Sequence, residues 1–158
     1  AKELFNKALA LEKEQKLDEA AAAYKQFAEK YPKSPLREQA EKSVQSIENI
    51  KIIESRGKAR FAVEHLKEIA KACERFRAEK GAYPDGLEEL VPQYLTAVPS
   101  CAWGHAYNYR TEPDETGKPN RKYVLACFGS DGLPGGEEDA FDLIIEEGEF
   151  VQIHEWLR

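Results

Sequence analysis

The sequence has no methionine, only three cysteines and no long apolar run. A membrane-spanning helix needs about 18 or more consecutive apolar residues, and no segment approaches that length. The alanine start and the missing methionine give the expectation of a mature or trimmed chain, so the lack of an export signal says little. Any membrane contact would come through a segment upstream of residue 1. Bases are outnumbered, 23 lysines and arginines against 29 acids, for a net charge of −6. That balance argues against nucleic acid or an anionic membrane surface as the main partner, because polyanions attract basic proteins. It is compatible with clustered carboxylates around a divalent cation. Cys73, Cys101 and Cys127 lack the CxxC or His-paired spacing of a zinc site. Their odd number leaves one disulfide plus one free thiol, or three buried thiols.

Proline is scarce before residue 80, where only Pro32 and Pro35 occur, and six more follow. The chain therefore reads as a helical half followed by a mixed half, with the expected boundary after residue 56. In the first half Leu4, Ala8 and Leu11 share one helical face, and Leu17, Ala20, Tyr24, Phe27 and Tyr31 another. Glu12 to Lys16 reads as a solvated turn, and Pro32 ends the second helix. This hairpin resembles a tetratricopeptide repeat, a two-helix unit of about 34 residues. Tryptophan at the fourth position and glycine at the eighth are missing. A single repeat cannot bury its own face, so Leu36, Ala40, Val44, Ile47 and Ile50 are expected to cover it. A plain helical hairpin is the alternative.

A bend or domain boundary is expected at Ser55-Arg56-Gly57, followed by a helix with Ala62, Leu66, Ile69, Cys73 and Phe76 on one stripe. Gly81 would cap it in the left-handed conformation. Asp85 and Glu88 are spaced as a capping box for a short helix. Tyr107-Asn108-Tyr109 and Tyr123 to Phe128 alternate on either side of a polar loop, which predicts an antiparallel hairpin. A second hairpin is expected in the tail around Glu147-Gly148.

Five elements recur in a fixed order: the helix, Gly81-Ala82-Tyr83-Pro84, Gly86-Leu87-Glu88-Glu89-Leu90-Val91, Trp103-Gly104 running to Tyr109, and Gly129-Ser130-Asp131-Gly132-Leu133-Pro134-Gly135-Gly136. This order is similar to the globular domain of the major pseudopilin of type II secretion, over roughly residues 58–142. The resemblance implies an α+β fold, with a long helix on a small antiparallel sheet. It also implies a loop that binds calcium. Carried over by position, its ligands would be the Phe128 carbonyl, Asp131, Glu138 and Asp139, with Ser130 as an extra. Glu138 is longer than the family's usual aspartate. Calcium takes six to eight hard oxygens, and this Gly-rich segment offers Asp131, Glu137, Glu138, Asp139 and Asp142. Composition alone would allow a merely solvated acidic turn.

Folding the hairpin back around Thr116 brings Cys101 opposite residues 129–131, close to Cys127. A Cys101–Cys127 disulfide is therefore expected, as suits an oxidising envelope compartment. Two separate buried thiols are the alternative. Cys73 sits on the apolar stripe and reads as a buried free thiol.

The three histidines are dispersed, and the sequence shows no nucleophile elbow, phosphate loop or dinucleotide fingerprint. The expected protein is thus a non-enzymatic, extracytoplasmic one, a calcium-stabilised head with a repeat-like interaction region. Its expected partners are proteins of a secretion or pilus-like apparatus. The rival reading is a genuine major pseudopilin whose apolar stem lies upstream. A hydrolase would need a convergent nucleophile and base.

Overall fold

The computed structural model describes all 158 residues, apart from the side chain of Asp139. Its class is α+β, with three helices followed by a four-stranded antiparallel sheet. The chain forms two compact units, Ala1–Glu54 and Ser55–Arg158.

In the first unit, helices α1 (Lys2–Lys13) and α2 (Leu17–Lys30) make a hairpin. With no glycine available, Gln15 takes the left-handed conformation at φ 62°. Its N–H reaches the Glu12 carbonyl and the Lys16 N–H reaches Leu11, both at 3.0 Å, so the orphan carbonyls of α1 are satisfied. Small residues let the helices approach: Ala8, Ala20 and Ala23 are buried between Phe5, Tyr24 and Phe27. The Phe5 ring meets Tyr24 and Phe27 edge-on at 5.5 and 5.3 Å. Phe5 is therefore the anchor of α1, while Leu4 and Leu11 only flank it. Ala40 and Ile47 cover this core as expected, with Leu36 and Val44 packed at its margin. Ile50 does not join them; it is 43 % exposed, one turn beyond the end of the covered stripe.

Helix α3 runs unbroken from Arg37 to Lys80, so the expected bend at Ser55-Arg56-Gly57 does not form, although the two compact units divide there. A glycine inside a helix costs only about 1 kcal/mol relative to alanine. Ending and restarting the helix would forfeit several backbone hydrogen bonds and require a second nucleation.

In the second unit the stripe of Ala62, Leu66, Ile69 and Cys73 is fully buried, and Phe76 packs at its edge. Gly81 closes α3 at φ 81°, its N–H donating to the Arg77 carbonyl at 2.8 Å. The expected capping box is absent. The segment is too short for an α-helix and makes only a 3-10 turn at Leu87–Leu90, capped by an extended Gly86. Glu89, not Glu88, returns to accept the Asp85 N–H at 2.5 Å. The Asp85 carboxylate is taken instead by the Asn120 side-chain amide.

Strands β1 (Asn108–Glu112), β2 (Lys122–Cys127), β3 (Leu143–Glu146) and β4 (Glu149–Gln152) pair in chain order, each antiparallel to the next. In β2 the alternate residues Tyr123, Leu125 and Cys127 are buried, as are Leu143 and Ile145 in β3. Both expected hairpins form. The second turns at Glu147 and Gly148, with φ 50° and 93°, as a two-residue loop requires.

Around this core the Tyr83 hydroxyl donates to Glu74 at 2.8 Å and accepts from Arg77 at 2.9 Å. The Tyr109 hydroxyl donates to the Pro84 carbonyl at 2.8 Å. Burial, then the bond to Glu74, pushes the Tyr83 phenol up to about 12 from 10.0. Burial likewise lifts the Cys73 thiol from 9.0 to about 12. Both groups prefer their protonated form in the fold, so the stability they protect is complete below pH 9 and is lost as pH rises toward 12. Urea midpoints are expected to hold between pH 7 and 9 and fall progressively above it. A midpoint that is flat to pH 11 would contradict this.

Candidate functional site

The loop between β2 and β3 carries the densest set of hard oxygen donors predicted from the sequence. Strand β2 delivers the chain at Cys127, and β3 receives it at Leu143. Between them Gly129, Gly132, Gly135 and Gly136 all have positive φ. Two of these positions are crowded as well. A Cβ on Gly132 would lie 2.9 Å from the His105 ring, and one on Gly136 would lie 2.6 Å from the Ala140 carbonyl. The loop is thus folded tightly onto itself and onto the segment around His105.

Phe128 is half-buried at the loop entrance. The Ser130 carbonyl accepts from His105 Nε2 at 3.0 Å, which leaves its hydroxyl for other partners. Asp131 is exposed, and its Oδ1 accepts the Leu133 N–H at 3.0 Å. Glu138 is exposed and opens a 3-10 turn, Glu138–Ala140, with φ 53°. The Asp139 side chain lies outside the described residues. Among the described residues, no three His, Cys, Asp or Glu side chains converge as a metal-holding group. Asp131 and Glu138 therefore stand at the entrance and exit of the loop with their carboxylates in solvent.

Asp142, one of the acids the loop offers but not one of the ligands carried over by position, is the exception. It is only 4 % exposed, and its Oδ2 accepts the Gly135 N–H at 2.6 Å. Its Oδ1 is buried and has no partner among the described residues. A buried carboxylate oxygen without a partner carries a desolvation penalty of about 1–3 kcal/mol or more. The hydrophobic pattern gave no signal for it. Asp142 precedes β3, where alternation has not begun, and the glycine turns decide which way it faces.

Cys101 and Cys127 are buried neighbours, and the structure holds them as thiols. The route between them differs from the expected one. Glu112 pairs with Lys122, so the hairpin folds about residue 117, and Cys101 is not carried across it. Instead Ser100 bridges Ala106, and a tight turn lets the Cys101 N–H donate to the His105 carbonyl at 2.9 Å. The His105 N–H in turn donates to Cys101 Sγ at 3.3 Å. Burial pushes the Cys127 thiol up to about 12; the Gly129 N–H opposes this, and the hydrogen-bonded Cys101 adds to it. Cys73 is a third buried thiol, as expected. In the folded state at pH 8, Cys73 should resist iodoacetamide for hours and react within minutes in guanidinium. Equal rates in both solvents would contradict its burial.

The histidines serve structure. His65 Nδ1 lies 3.0 Å from the Tyr107 hydroxyl, and His154 stacks on Phe141 at 3.9 Å. Trp103 and Tyr109 pack against the core of the second unit, as predicted for hydrophobic residues rather than a stacking platform.

Comparison with known proteins bears on this arrangement directly. The family described as type II secretion system (T2SS), protein G matches residues 49–146, well over half of the chain. The match begins within α3 ahead of the second unit and ends on β3, so it is wider than the resemblance read from motifs. No curated protein matches the chain. The helix, the sheet and the Gly-rich acidic loop all fall inside the matched span, and the chain belongs to the type II secretion protein G family, the pseudopilins.

Proposed function

We propose that this chain is a non-enzymatic envelope protein of a type II secretion or pilus-like assembly, with a calcium-stabilised pseudopilin head. Its helical hairpin would serve as a tetratricopeptide-like surface for other proteins of that apparatus. Family membership supports the extracytoplasmic, secretion-linked role. No helix among the described residues is long and apolar enough to cross a membrane.

The observation that carries the calcium reading is the buried, unpartnered Oδ1 of Asp142 beneath a loop rich in glycine and acid. The donors suit a hard cation: the Phe128 carbonyl, the Ser130 hydroxyl, Asp131, Glu138 and Asp139 would hold it. Asp142 would compensate its charge from below. Calcium would supply charge neutralisation, since like carboxylates crowded on one loop repel one another. The role is structural, because a ligand that binds only the folded state stabilises it by mass action.

Asp142→Asn separates the two parts of this reading. The amide oxygen can still accept the Gly135 N–H, so stability in chelator should be unchanged or slightly raised. Calcium affinity, measured by titration calorimetry, should fall at least tenfold. Wild-type affinity in the variant would remove Asp142 from the site. The assembly role is tested in the source cell by deleting the gene and assaying type II export, with cross-linking to the apparatus. Impaired export and cross-links to its subunits are expected. Intact export with no cross-links would contradict the assignment.

A further inference from the structure

The chain continues past the family match, and that continuation folds back onto the acidic loop. Strand β4 and the 3-10 turn Glu155–Leu157 both follow residue 146, where the match ends. After β4 the His154 ring stacks on Phe141 at 3.9 Å and 30°, and on Trp156 at 5.4 Å and 27°. The guanidinium groups of Arg56 and Arg60 lie over the Trp156 ring, at 5.2 and 5.8 Å from its centre. Arginine, indole, imidazole and phenyl thus form one stacked column from α3 to the end of the loop. Such contacts are worth about 0.5–1.5 kcal/mol each beyond the area they bury.

The column ends on a strained residue. Glu138 occupies the left-handed region at φ 53°, a conformation that non-glycine residues keep only when their surroundings hold them there. The Phe141 N–H donates to the Glu138 carbonyl at 3.4 Å, so the ring that stacks on His154 is tied to the Glu138 turn. The cavity lined by Trp103, Glu138, Phe141, His154 and Trp156 is about 20 Å³, room for roughly one water, so the packing around this contact is close.

We propose that residues 153–158 are an intramolecular clasp on the acidic loop, with His154 as the positioning residue that holds the Glu138–Ala140 turn through its stack on Phe141. The clasp sets the conformation from which the Glu138 carboxylate projects. It preorganises the loop before any cation arrives. The consequence for affinity rests on the calcium reading above; the consequence for loop order does not.

The test is hydrogen exchange on the full chain without calcium, comparing wild type with His154→Ala and Trp156→Ala. Amides of residues 136–141 should exchange at least tenfold faster in both variants, while those of β2 keep their wild-type rates. His154→Phe, which keeps a flat ring against Phe141, should recover part of the protection. If His154→Ala loosens the whole unit, Trp156→Ala removes the stack alone and makes the same comparison. Unchanged exchange at 136–141 in both variants overturns the clasp. Calorimetry then reads calcium, with Asp131→Ala beside it. Affinity lowered about tenfold by His154→Ala is expected, and unchanged affinity would overturn its positioning role. A wild type that binds no calcium sinks the calcium reading and leaves the exchange result to decide the clasp.

Discussion

Leu66→Ala is expected to lower the unfolding free energy of the second unit by about 2–5 kcal/mol, the range for a buried leucine truncated in a close-packed core. Leu66 has no exposed surface, and it lies at the middle of the α3 stripe with Val63, Ile69 and Cys73 around it. Alanine is the best helix former, so α3 itself loses nothing by the change. The whole cost is lost contact and the cavity left behind. Small domains hold only about 5–15 kcal/mol in total, so this one truncation removes a large share. Lys71→Ala, on the exposed face of the same helix, should stay within about 0.5 kcal/mol of wild type. Urea unfolding followed by near-ultraviolet circular dichroism reads both. Equal midpoints for the two variants would show that this stripe is not the core.

The second large effect concerns the paired thiols. We propose that in an oxidising compartment Cys101 and Cys127 are joined. A small-molecule or protein disulfide would accept the two electrons, leaving one S–S bond in the chain and two reduced thiols on the reagent. Closing a loop of roughly 26 residues removes enough unfolded-chain entropy to stabilise the fold by about 3.5 kcal/mol. In the fold these thiols are buried and Cys127 is held protonated, so the exchange belongs to the folding chain rather than the finished one. Protein refolded in a glutathione redox buffer should show one titratable thiol in guanidinium, Cys73, and three after reduction. Its melting temperature should fall by on the order of 10 °C on reduction. Three thiols before reduction would mean that the pair stays open.

How much of this was legible in the sequence depends on the kind of signal. The α3 stripe was legible because Ala62, Leu66, Ile69 and Cys73 repeat at the helical period and face one sheet. The two β hairpins were legible because alternation ran into polar or Glu-Gly turns. The unbroken α3 was not, since one glycine is a weak local cost and the helix on both sides outweighs it. Glu89 was mistaken for Glu88 because a capping box presumes an α-helical turn, and a 3-10 turn shifts which side chain comes back. The nearness of Cys101 to Cys127 was read correctly for the wrong reason. The turn from Ser100 to Ala106, not the strand register, brings them together. Asp142 was legible as one of the loop's acids, but its burial and the His154 column were not, because long-range packing decides them and no periodicity reports it.

We propose that the pseudopilin head depends on calcium held by its acidic loop. The most direct test is thermal unfolding of wild type and Asp131→Ala, each in excess calcium, excess magnesium and chelator. At about 100 times the dissociation constant a bound ion adds about 2.7 kcal/mol, which for a unit of this size is on the order of 10 °C. That rise is expected for wild type in calcium only, and its loss in Asp131→Ala. Identical melting of wild type in all three solutions would contradict it.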